Sequence, residues 1–235
     1  MSRIKYKKEV LRLLQEDDLD IVLRKIADYP PKSLLNPLFS ALCHPGEKIR
    51  YHAVSCLGRT VCAIAAEDME QARVVMRRFL WSLNDESGGI GWGCTEAMAE
   101  IMCCHKGIME EYVHMLISYM REDGDELFQD GNYLELPMLQ CGLLWGIARL
   151  CSSYRQQMVD RGVERDLANY LDSRDHTVSG LALLALVRLG AKLGPGRLKK
   201  FLCSPVELSV YDDGTFTTVT VSGLARQLLT IGAEP

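Results

Sequence analysis

Glu96 and Glu100 stand one helical turn apart in the segment "GCTEAMAE". Carboxylates at i and i+4 share a helix face, where their like charges oppose helix formation if both are exposed. In an enzyme such a pair can act as acid and base, one pKa raised by the other. In a binding protein it can grip a basic patch. Just upstream, Gly88, Gly89, Gly91 and Gly93 crowd around Trp92 in "NDESGGIGWG". Each glycine in a helix interior costs roughly 1 kcal/mol against alanine, so the cluster needs a reason. One reason is close packing against the preceding helix. The other is a shallow pocket with helix N–H groups at its floor, Trp92 as its wall and Glu96 one turn further along. Asp85 and Glu86 would repel an anion there, so a phosphate site is not expected.

Other chemistries find no support. Gly89-x-Gly91 would need glycine at 94 for a dinucleotide fingerprint, and Cys94 stands there. The acidic run over 121–136 misses the EF-hand pattern because Leu127 takes a ligand position; it reads as a long loop. Nine cysteines are an odd number without any CxxC, which suits reduced thiols better than disulfides. Cys103, Cys104 and His105 are adjacent, and adjacent ligands alone cannot build a tetrahedral metal site. The five histidines are scattered. No catalytic residue, metal or cofactor is expected.

The elements that must position these residues repeat along the chain. "TVSGLA" occurs at Thr177–Ala182 and again at Thr220–Ala225. The same frame aligns residues 49, 90, 137, 178 and 221, at spacings of 41, 47, 41 and 43. Pro137 is the poorest match. Within each unit apolar residues recur at i, i+4 and i+8, the helical period, with a small residue at i+4 (Ala53, Cys94, Cys141, Ala182 and Ala225). A period of about 40–47 residues with two helices per unit is the signature of a HEAT-type solenoid. Such units stack because none can bury its apolar face alone. The expected fold is therefore all-α: an α-α superhelix, HEAT/armadillo-like, of about five two-helix repeats forming a single domain over 1–235. Residues 1–33 read as N-terminal capping helices and 34–205 as repeats. A β-hairpin insertion occupies 206–221, where β-formers flank Asp212-Asp213-Gly214, and a terminal helix follows over 222–235. The hairpin is expected to fold over the C-terminal end of the array.

Composition bounds the functional class. The chain has 235 residues, is 48% hydrophobic and 25% charged, and has a net charge of −4. No apolar run approaches a membrane span and no signal peptide is evident, so a cytoplasmic location is expected. Charge is uneven: +4 over 1–60, −10 over 61–135 and +2 over 136–235. The acidic middle disfavours nucleic acid.

"HPGEKIRYHAVSCLG" and "SRDHTVSGLALLALVRLG" resemble the repeat of PBS-lyase HEAT-like proteins. "LWSLNDESGGIGWG" with "NYLELPMLQCGLLWGIARL" also resembles an uncharacterised group of bacterial HEAT-repeat proteins. The resemblance covers most of 34–235. It implies the solenoid fold and no particular chemistry, since bilin-lyase activity belongs to a minority of the repeat's bearers. The leading functional expectation is a scaffold that holds a protein partner, one carrying a basic patch. Its expected contacts are Tyr51, Asn84, Asp85, Glu86, Gly91, Trp92, Gly93, Glu96, Glu135 and Trp145. The alternative is an enzyme or cofactor-handling protein on the same fold, of a DNA glycosylase-like or lyase/chaperone-like kind. Oligomeric state is not legible.

Overall fold

The computed structural model describes residues 3–84, 91–122 and 132–233. Asp85, Glu86 and most of the acidic loop fall outside them. The described chain is helical apart from one two-stranded hairpin, as the 3.6-residue periodicity requires. It forms two compact units. One comprises Met1–Val113 with Tyr211–Thr215; the other comprises His114–Val210 with Phe216–Pro235.

The first unit opens with α1 (Arg3–Leu13) and α2 (Leu19–Ala27). Asp18 caps α2, accepting from the backbone N–H groups of Asp20 and Ile21. Two helix pairs follow: α3 (Pro31–Leu42) with α4 (Glu47–Glu67), and α5 (Met69–Leu83) with α6 (Cys94–Cys104). The second helices α4 and α6 pack side by side. Gly58 permits this, because a Cβ there would lie 3.0 Å from Glu100 Cγ and 3.4 Å from its carbonyl oxygen. Helix α6 is buried on nearly every side, and α4 is buried along its middle from His52 to Gly58.

Helix α7 (Lys106–Ser118) leads into the second unit. There α8 (Pro137–Ser153) packs against α11 (His176–Leu189), with α9 (Arg155–Asp160) and α10 (Val163–Tyr170) between them in sequence. Pro137, the poor match to the repeat frame, is the first residue of α8. Proline suits that position because its missing N–H would have no helical partner. Short α12 (Pro195–Leu198) and a 3₁₀ turn complete the last first-helix, and α13 (Val221–Ala233) is its partner.

Strands β1 (Glu207–Asp212) and β2 (Thr215–Thr220) meet at Asp213-Gly214, both with positive φ (43° and 95°). That is the two-residue turn the Asp-Gly sequence favours. The tip residues belong to the first unit. Tyr211 packs in the first unit against α4, and a Cβ on Gly214 would lie 2.7 Å from Leu19 Cβ. Alternation of apolar Leu208 and Val210 fixes which face of β1 is buried, with Tyr211 buried beyond them.

Candidate functional site

The glycine turn ends four residues later than the repeat frame suggests. Helix α6 starts at Cys94, and Gly91 to Gly93 form the turn before it, not its first turn. The cause is Gly93, which sits in the left-handed region at φ 72°, where a Cβ is disfavoured. Packing adds a second constraint. A Cβ on Gly93 would lie 3.0 Å from the Leu42 side chain, and one on Gly91 would lie 2.7 Å from Leu83 Cδ2. Close approach to the ends of α3 and α5 is what Gly91 and Gly93 provide.

A glycine N-cap offers no side chain to the free N–H groups of α6. Glu96, the third residue of the helix, satisfies one of these N–H groups from inside. Its carboxylate accepts from its own backbone N–H, and the Thr95 hydroxyl donates to its Oε2 at 2.9 Å. Glu96 is 8% exposed. Burial raises its pKa above the usual carboxylate range, offset in part by these hydrogen bonds and by Arg50. Desolvation is the cause, not repulsion from Glu100. This corrects the expectation of an exposed acidic pair: Glu96 is a buried cap with no face for a partner, and Glu100 is buried beside Gly58.

The other sequence-chosen residues separate. Tyr51 is half-buried and stacked on Tyr211, ring centroids 4.9 Å apart, while Tyr211 and Ser55 share a hydrogen bond of 3.0 Å between their hydroxyls. The hairpin tip therefore covers the surface that Tyr51 was expected to present. Trp145 lies in the core of α8 at 2% exposure, which removes it from any contact surface. Trp92 is half-buried, and its Nε1 is buried without a hydrogen-bond partner among the described residues. Asn84 is exposed at the end of α5, and Glu135 is exposed ahead of α8.

Sequence reasoning missed Trp81. It is 82% exposed on the last turns of α5, beside a groove of about 600 Å³ lined by Arg78, Trp81, Ser82 and Asn84. The signal was available. Buried Ala72, Val75, Met76, Phe79 and Leu80 mark the apolar stripe of α5, and position 81 is out of phase with it. Arg78 is held in place from below. Its guanidinium lies 3.8 Å from the centroid of Phe39, which stacks on Phe79, and Nη1 donates to Asn36 Oδ1 at 3.0 Å. The groove thus has a fixed cation, a broad exposed indole and the polar groups of Ser82 and Asn84. Ser82 also hydrogen-bonds the buried Cys94 thiol, whose pKa burial pushes up to about 12, so the groove abuts the start of α6.

Among the described residues, nothing assembles a nucleophile with its base. His52 is fully buried, with Nδ1 on the Leu14 carbonyl at 3.1 Å, and burial lowers its pKa. His105 Nδ1 accepts from the Ile108 N–H, capping α7. No three His, Cys, Asp or Glu side chains converge as a metal site among the described residues. A second cavity of about 510 Å³ lies in the second unit, lined by Glu122, Tyr133, Gln140 and Asp172 among others. Asp172 there is paired with Arg197 and Lys200.

No family model matches the chain, and no curated protein matches it. Solved structures do. A designed armadillo repeat protein aligns with 95% of this chain and 98% of its own, at 15% identity and a TM-score of 0.51. A crystal structure of an engineered protein aligns with 97% of this chain and 98% of its own, at 14% identity and a TM-score of 0.50. These likenesses establish the fold, an armadillo/HEAT-like helical repeat. No helix among the described residues is long and apolar enough to cross a membrane.

Proposed function

We propose that the chain is a protein-binding scaffold of the PBS-lyase HEAT-like kind, working in the bacterial cytoplasm. Its contact edge is the C-terminal end of α5 together with the turn that starts α6. The observation that carries this reading is Trp81: a tryptophan left 82% exposed on a 15-residue helix, next to a groove rather than in the core. Burying an indole contributes more binding energy than almost any other side chain, and interface energy concentrates on such anchors within a polar rim. Arg78, Ser82 and Asn84 supply that rim. Trp92, within the turn that starts α6, has a buried indole N–H without a hydrogen-bond partner among the described residues. In the chain Asp85 and Glu86 directly follow Asn84, which favours a partner with basic groups beside its apolar anchor. Glu135, exposed with Leu136 and Met138, is a second contact region of the same acidic and apolar type.

The test is a pull-down from host lysate with the unaltered chain and with Trp81→Ala, both verified as folded by circular dichroism. A specific partner retained by the first and lost by the second supports the reading. A partner held equally by both removes Trp81 from the interface.

A further inference from the structure

Helices α4 and α6 bring two thiols together. The same sequence offset separates Gly58 from Glu100 and Cys62 from Cys104, and the two pairs sit one helical turn apart. Gly58 marks the close approach, and a Cβ there would also meet Cys104 Sγ at 3.1 Å. One turn further along α4, the Cys62 thiol hydrogen-bonds with Cys104. The two are reached differently: Cys104 is exposed and Cys62 is half-buried. Cys104 is the last residue of α6, and helix ends fray more readily than interiors, which suits the narrow geometry a disulfide demands.

We propose that Cys62 and Cys104 form a dithiol modification site, oxidised to an α4–α6 disulfide by a low-molecular-weight disulfide such as oxidised glutathione. The reaction runs in two exchanges. The exposed Cys104 thiolate attacks one sulfur of the oxidant, forming a mixed disulfide and releasing one glutathione thiolate. Cys62 then gives up its proton, and its sulfur attacks Cys104 Sγ, forming the protein disulfide and releasing the second glutathione. Two electrons pass to the oxidant, and the two thiol protons end on the two glutathiones. This order follows from the structure, since Cys104 is exposed to an oxidant in solution and Cys62 is half-buried beside it, while only thiolates attack. Cys62 is thus the resolving thiol and Cys104 the entry point. The bond closes a loop containing all of α5, so it would tether the helix that carries Trp81; the chemistry itself does not depend on any partner.

The experiment uses the full chain, reduced and then equilibrated with oxidised and reduced glutathione at graded ratios. Samples are acid-quenched, alkylated and peptide-mapped by mass spectrometry. A Cys62–Cys104 cross-linked peptide should appear, with parallel loss of alkylation at both residues. Cys62→Ser should trap glutathione on Cys104, and Cys104→Ser should abolish the cross-link. A glutathione adduct persisting on Cys104 of the unaltered chain would overturn the proposal. So would a Cys103–Cys104 or Cys43–Cys94 linkage in its place. Mapping of the unaltered chain decides the matter even if a serine variant fails to fold.

Discussion

Among the described residues two helices begin on a left-handed glycine, and their surroundings differ. Gly162 precedes α10 at φ 71°, and a Cβ there would meet nothing within 4 Å. Gly93 precedes α6 at φ 72°, and a Cβ there would press on Leu42. The same conformation thus answers two demands. At Gly162 it is only the dihedral. At Gly93 it is the dihedral plus a packed wall, which fixes the edge beside the exposed Trp81. Helix α11 offers a third solution. Asp175 caps it from outside, accepting from Thr177 and Val178 N–H, whereas α6 recruits buried Glu96 from inside. With its acid turned inward, this edge leaves the Trp81 indole and the Arg78 cation outside.

The largest expected effect separates the two glycines. Gly93→Ala should cost about 2–4 kcal/mol, combining left-handed strain with overpacking. Gly162→Ala should cost about 1–2 kcal/mol, from the strain alone. Denaturant unfolding measures both; equal losses would remove packing from the account. Next comes the capping contrast. Asp175→Ala should cost about 1 kcal/mol. Glu96→Gln, which keeps an acceptor for the helix N–H, should instead stabilise at neutral pH by roughly 1 kcal/mol, because no charge is then desolvated.

The pH signs follow from the same burial. Glu96 has a raised pKa in the folded state, so its contribution is full below the unfolded value of about 4.3 and is lost as pH rises through the folded value. The advantage of Glu96→Gln should therefore shrink as the pH approaches 4. His52 behaves oppositely. Its folded pKa is lowered, so its contribution is present above about 6.5 and lost as pH falls through the folded value. A His52→Gln variant should flatten that acid-side slope in a pH series of unfolding curves. The smallest effect belongs to Trp81→Ala, which should change stability by less than about 0.5 kcal/mol while removing a partner contact.

Much of the fold was legible because repetition is legible. The doubled "TVSGLA" and the recurring small residues locate the second helices α4, α8, α11 and α13 to within a few residues. The start of α6 was not, since a run of glycines carries no periodicity and packing against Leu42 and Leu83 sets the boundary. Facing was harder still. Helices α6 and α8 are enclosed almost all round, so Glu96 and Trp145 looked available in sequence and are buried in the fold. Tyr51 was hidden for a different reason, a hairpin tip more than 150 residues away in sequence. The groove beside Trp81 could have been found from the phase of α5 alone.

The most direct measurement places a photo-crosslinking amino acid at position 81 and, separately, at position 138, where Met138 is 55% exposed in the second unit. After irradiation in host lysate, adducts are identified by mass spectrometry. The account predicts a defined protein adduct from position 81, competed by excess unaltered chain. Adducts from position 138 alone would contradict it and move the contact surface to the start of α8.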